Sequence, residues 1–221
     1  MEHPSPERQI EFLSQMQRLL SEGLFVATYK YALLMSLADL CIEQGQDDDG
    51  PLEISTRRIA EKFIQYYWRQ SMPFAPQADP TQEQVLRQNT GKQAGIIKAV
   101  LEARSHHGGS IVEACRDKGN WNLLVNQIDG VVRQMPLWKL QTVGSERLDF
   151  LYENAGAGTK ITLKPGVAYC FRKHYPLIAD LVKGAWARYV RRFNTTLLGT
   201  TSDLHEFLFG SERACWNTNG T

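Results

Sequence analysis

The chain has 221 residues, 43% of them hydrophobic and 22% charged, a balance that supports a core of ordinary size and excludes bulk disorder. It has no run of about 18 apolar residues and no basic segment followed by an apolar one at the N-terminus, so a cytoplasmic protein without membrane span or signal peptide is expected. The net charge of +1 hides an asymmetry: residues 1–55 carry 3 Lys/Arg against 10 Asp/Glu, and residues 56–221 carry 22 against 14. An acidic front end on a basic body is compatible with a nucleic-acid partner, although charge alone does not establish one.

In chain order, residues 6–21 read as a helix with a loose apolar stripe, which Gly23 interrupts. A stronger helix is predicted at 26–44, where Leu33, Leu34, Leu37, Leu40 and Cys41 recur at helical spacing, with Gly45 as its C-cap. Asp47, Asp48 and Asp49 lack the alternate ligand spacing and closing Glu of a calcium loop, so they read as a solvated turn. Leu52 to Ile54 form a short extended piece, and Ser55 or Thr56 can cap a helix over 56–70. A Pro-rich loop follows, then a helix over 81–104, with Thr90-Gly91 as a candidate break, whose strong half is Ile96, Ile97, Val100 and Leu101. Short helices are expected at 110–117 and 121–134, and strands at 138–141, 148–153 and 160–164, the last two joined as a hairpin. A long helix at 176–194 carries the stripe Leu177, Ile178, Leu181, Val182, Ala185, Trp186, Tyr189 and Phe193, and a short one starts at Asp203.

The expected class is therefore α+β, mainly α: a helical domain with an embedded winged-helix-like unit and a small antiparallel hairpin or sheet. Its parts are an N-terminal helix at 1–24, the winged-helix-like domain at 25–170 with its hairpin near 148–164, C-terminal helices at 171–214 packing on it, and a frayed tail at 215–221.

No catalytic signature stands out. His3, His106, His107, His174 and His205 form no metal-binding spacing, and Cys41, Cys115, Cys170 and Cys215 form no C-x-x-C pair. The first three cysteines read as small core residues and Cys215 as a free thiol. Phosphate-cradling glycine loops and nucleophile elbows are absent. Asp149 and Glu153 lack the lysine that would complete a nuclease metal site and read as surface positions. Neither metal nor cofactor is expected, and the chain alone is not expected to cut DNA.

What remains is binding. Residues 89–101 read as a recognition helix, with Ile96, Ile97, Val100 and Leu101 buried and Gln88, Asn89, Lys92, Gln93 and Lys98 offered to the major groove. Amides pair with adenine edges, and lysine reaches guanine or phosphate. Arg57 and Arg58 on the preceding helix, and Arg188, Arg191 and Arg192 on the last long helix, complete the candidate contacts to duplex DNA. The competing reading is a protein-interaction or homodimerisation module docking through Tyr66, Tyr67, Trp68 and Phe74.

Three stretches, Tyr31 to Leu40, Ile54 to Gln70 and Phe207 to Ala214, resemble the N-terminal region of a group of bacterial HNH endonucleases, and the likeness extends in patches over residues 25–214. The resemblance implies a DNA-associated role in restriction or defence. In that group an HNH module follows, whereas this chain stops soon after Arg213 and offers no histidines to receive its catalytic roles. A non-catalytic region truncated before the nuclease module is the expectation.

Overall fold

A helix that is apolar on every side must be buried on every side, and the segment YKYALLMSLADLCIEQ has that composition. The computed structural model describes residues 3–23, 25–75, 81, 83–91, 95–153, 158–198 and 203–210. The elements run α1 (Pro6–Glu22), α2 (Tyr29–Gln44), β1 (Leu52–Ser55), α3 (Thr56–Gln70), β2 (Pro73–Phe74), β3 (Gln84–Val85), α4 (Gly95–His106), α5 (Ile111–Arg116) and α6 (Lys118–Gln134). They continue with α7 (Pro136–Lys139), β4 (Thr142–Val143), β5 (Glu146–Arg147), β6 (Lys160–Leu163), α8 (Val167–Lys173), α9 (Tyr175–Phe193), α10 (Thr195–Leu198) and α11 (Leu204–Phe209). Eleven of the 16 residues of α2 are buried, and α3, α8 and α9 pack around it.

The domain is α+β and mainly α, with small two-stranded antiparallel sheets. After α2 come β1, α3, the paired strands β2 and β3, and then α4. β6 then returns to β1, pairing Leu52 with Leu163 and Ile54 with Ile161. Ile54, Ile161 and Leu163 face the core while Glu53 and Thr162 face out, so the two-residue alternation sets the register. The predicted pairing of 148–153 with 160–164 contracts to one bridge, Tyr152 to Leu163, on the other edge of β6. The linker at 154–157 lies outside the described residues.

Four local readings need correction. The helix expected from residue 81 starts at Gly95, and Gln84–Val85 instead pairs with Pro73–Phe74. Residues 138–141 do not form a strand: Pro136, which has no N–H to lose, opens the single turn α7. Neither Ser55 nor Thr56 caps α3, because the Thr56 hydroxyl donates to the Thr159 carbonyl at 3.1 Å. On α9 the buried face runs through Ile178, Val182, Ala185, Trp186 and Val190, leaving Leu177 and Leu181 exposed. Ser5, Ser110, Asp117 and Asp203 do cap helices, accepting from the backbone N–H three residues on. The Asp47–Asp49 turn is pinned rather than merely solvated: Asp49 accepts from Arg8 at 2.6 Å, and Asp47 lies 3.4 Å from Arg172.

One core position is costly. Lys30 in α2 is 8% exposed, donates to the Thr142 carbonyl at 3.5 Å and lies 5.2 Å from the Phe25 ring centre. No carboxylate among the described residues pairs with it. Burial, with a smaller push from Lys139, lowers its pKa to about 8 from 10.5. The unfolded chain thus holds a proton between these values that the fold does not, and stability rises as pH climbs through that window. Lys30→Met should stabilise the fold at pH 7 by on the order of 2–3 kcal/mol in thermal or denaturant unfolding. That advantage should fade between pH 8 and 10.5. A variant no more stable than wild type at pH 7 contradicts this account.

Candidate nucleic-acid interface

The segment read as the start of a recognition helix is an extended loop. Its backbone is claimed by the chain ahead of α2: Thr28 N–H donates to the Gln88 carbonyl at 3.0 Å, and Thr90 N–H donates to the Val26 carbonyl at 3.3 Å. Ala27 and Asn89 form the antiparallel bridge between them. A residue whose backbone is paired in this way cannot also belong to a helix.

The same loop is clamped to the C-terminal end of α9. Asn194 Oδ1 accepts from Arg87 N–H at 2.8 Å, and its Nδ2 donates to the carbonyls of Arg87 at 3.0 Å and Val190 at 2.7 Å. Gln88 is fully buried and its Oε1 accepts from Trp186 Nε1 at 3.3 Å. The Tyr29 hydroxyl accepts from Ile96 N–H at 3.4 Å and ties in the first turn of α4. The loop 86–91 is thereby joined to 25–31 and to 185–198, and 95–101 is joined to 25–31 through Tyr29. They contain Lys30, Arg87, Lys98, Arg188, Arg191 and Arg192, and no Asp or Glu. Lys30 is buried, but Arg87, Lys98, Arg188 and Arg192 are exposed, and no carboxylate among the described residues pairs with these four.

The structure redistributes the sequence-predicted contacts. Gln88 is a packing residue and cannot read a base; Asn89 is half-buried; Lys92 and Gln93 lie outside the described residues. Lys98 projects outward from α4 as expected. Arg57 and Arg58 are partly engaged within the fold. Arg57 donates to Asn126 at 3.0 Å and Asn122 at 2.5 Å, tying α3 to α6. Arg58 pairs with Glu43 at 3.1 Å and Glu61 at 3.0 Å. Arg188, Arg191 and Arg192, placed by sequence on a separate surface, join the loop carrying Gln88 and Asn89. Sequence reasoning missed Arg87 and Asn194, and nothing local marks either.

Other groups with chemistry in their side chains are accounted for within the fold. Tyr67 and Trp68 are buried, and Tyr66 and Phe74 pack against the core, so the aromatic cluster offers no docking surface. Asp39 accepts from the hydroxyls of Tyr66 and Tyr175, each at 2.7 Å, and burial raises its carboxyl pKa. His107 Nδ1 donates to the Ala103 carbonyl at 2.7 Å, which raises its pKa, and Nε2 lies 3.4 Å from Asp117. Asp149, at φ +45°, pairs with Arg147 at 2.6 Å. Cys41 and Cys170 are buried and Cys115 half-buried, while Cys215 lies outside the described residues. Among the described residues no group of three or more His, Cys, Asp or Glu is placed to hold a metal ion, and no helix is long and apolar enough to cross a membrane.

These features define a mainly helical α+β domain in which exposed Arg87, Lys98, Arg188 and Arg192 meet no carboxylate among the described residues. Residues 10–208 match the family described as a domain of unknown function, DUF8808, and the chain belongs to that family. No curated protein and no solved structure matches it.

The clamp makes a direct prediction. Asn194→Ala removes three hydrogen bonds and leaves the Arg87 backbone unpaired, at a cost of about 2–3 kcal/mol. Amide exchange at residues 86–91 should accelerate relative to the α2 core. Unchanged exchange there would mean that the loop holds to α9 by packing alone.

Proposed function

We propose that this chain is a DNA-binding module without cleavage chemistry of its own, acting beside an HNH-type nuclease in restriction or defence. The observation that carries the reading is the set of exposed cations Arg87, Lys98, Arg188 and Arg192, which pair with no carboxylate among the described residues. Surface cations are normally interleaved with acids, as Arg58 and Lys62 are with Glu43. A cationic surface with no counter-charge of its own takes a polyanion. The nuclease association rests on the resemblance of residues 31–40, 54–70 and 207–214 to the HNH endonuclease group.

The contact is to phosphate rather than to base edges. Of the amides expected to face a groove, Gln88 is fully buried and Asn89 half-buried, while the exposed groups Arg87, Lys98, Arg188 and Arg192 are long cationic side chains. Binding to duplex DNA is therefore sequence-independent and driven by counterion release. Each phosphate contact contributes about 0.9 to the slope of log K against log salt.

Fluorescence anisotropy with two unrelated duplexes at about 50 and 150 mM salt tests this. Both duplexes should bind equally and lose affinity steeply with salt. Replacing Arg188, Arg191 and Arg192 together by Ala should weaken both alike and flatten the slope by up to about 2.7. Lys98→Ala should reduce it by up to about 0.9. If wild-type protein binds neither duplex at the lower salt, the DNA reading is abandoned.

A further inference from the structure

One side of α6 differs from the charged surface around it. Its core side is formed by Leu124, Val125, Ile128 and Val132. Along the opposite side, at helical steps, run Gly119, Leu123, Asn126, Gln127, Gly130 and Gln134, and none of them carries a charge. Leu123 is 68% exposed, more than any other large hydrophobic side chain among the described residues. Gly130 stands inside the helix, where glycine is a weaker helix former than alanine. No neighbouring side chain lies within 4 Å of where its Cβ would stand, so the fold of a single chain gives no reason for glycine there. The nearest charges are engaged on the flanks: Asp129 pairs with Arg133 at 3.0 Å, and Arg57 donates to Asn122 and Asn126.

A patch depleted of charge around a protruding apolar group has the composition of an interface core, and it offers nothing to a polyanion. The order of large and small residues points to the occupant. When two copies of α6 run antiparallel about a twofold axis between Asn126 and Gln127, Leu123 of one copy meets Gly130 of the other, and Gln134 meets Gly119. The amides of Asn126 and Gln127 meet across the axis. Each bulky side chain thus faces a glycine, and the same contacts recur on both sides of the axis, as an isologous interface requires. With no charge on the face, the two copies neither repel one another nor bury an ion. We infer that this chain forms an antiparallel homodimer through α6, with Leu123 seated in the notch left by Gly130 of the second copy. None of Arg87, Lys98, Arg188 and Arg192 lies on α6, so the inference goes beyond the DNA-binding reading and stands or falls separately from it.

The test is sedimentation velocity of the full chain, without DNA, from about 1 to 200 µM. Wild-type protein should pass from one chain to two across that range. Leu123→Glu and Gly130→Lys should each hold it monomeric, because each would bury an unpaired charge in the contact. An equimolar mixture of these two variants should dimerise again, since the new carboxylate of one copy then faces the new ammonium of the other and one Leu123–Gly130 contact remains intact. Gly130→Ala separates the interface from the fold. It should raise the melting temperature of the dilute protein by about 2–4 °C through helix propensity, while overfilling the notch and weakening dimerisation by about tenfold. Wild-type protein that stays monomeric throughout, a Leu123→Glu or Gly130→Lys variant that dimerises like wild type, or a mixture that does not recover overturns the inference.

Discussion

The indole of Trp186 sets the arrangement of nearly everything around it. It is fully buried, with the rings of Tyr31 on α2, Tyr66 and Tyr67 on α3, and Phe209 on α11 at centre-to-centre distances of 6.2, 5.8, 5.7 and 5.4 Å. Four elements are thereby held in one packing problem, and a smaller residue at this point would leave a cavity touching all of them. An indole also carries one N–H that must find an acceptor when buried. Gln88 supplies it, and to do so the chain before α4 must run extended across α9. The position of the basic loop is thus a consequence of satisfying one donor in the core. The arrangement is imperfect, since Gln88 Nε2 is left buried without a partner.

Charge segregation along the sequence has a related structural outcome. The acids of the first 55 residues are used largely within the fold: Glu43 pairs with Arg58 and Lys62, Asp47 with Arg172, Asp49 with Arg8, and Glu53 with Lys160 at 2.6 Å. Most of these pairs are partly exposed and each contributes little stability. Their larger effect is on the surface potential. They neutralise cations over α3, β6 and α8, and they do not reach the end formed by the α4 loop and the last turns of α9. A balanced net charge therefore coexists with an uneven distribution of paired and unpaired cations among the described residues.

The sequence was most informative where a single periodicity governs. The limits of α1 and α3, the buried Ile96, Ile97 and Val100 of α4, and the inward Ile161 and Leu163 of β6 all follow from local patterns, whereas Leu101, expected on the same buried face of α4, is exposed. Long-range pairing was not legible. Leu52 meets Leu163 across more than half the chain, and no local pattern names that partner. Residues 138–141 were expected as a strand, for which Trp138 is suited, but Pro136 two residues earlier opens the helical turn α7 instead. On α9, eight apolar positions offered more than one stripe, and the face centred on Trp186 won over one including Leu177 and Leu181.

The candidate site shows the same division between local and distant causes. Arg188 and Arg192 were recognisable because arginines on the polar side of an amphipathic helix need no distant partner to remain exposed, while Arg191 between them is half-buried. Gln88 and Asn89 were misjudged because an amide suits two opposite environments, a groove of bases or a core with an unpaired donor, and residue type alone does not choose between them. What chose was Trp186, about a hundred residues away, and the choice removed one surface amide while adding Arg87 to the surface. The consequence for recognition is physical rather than incidental. Moving the amide inward removes a base-edge hydrogen-bonding group from this surface and leaves the exposed guanidinium of Arg87 beside it.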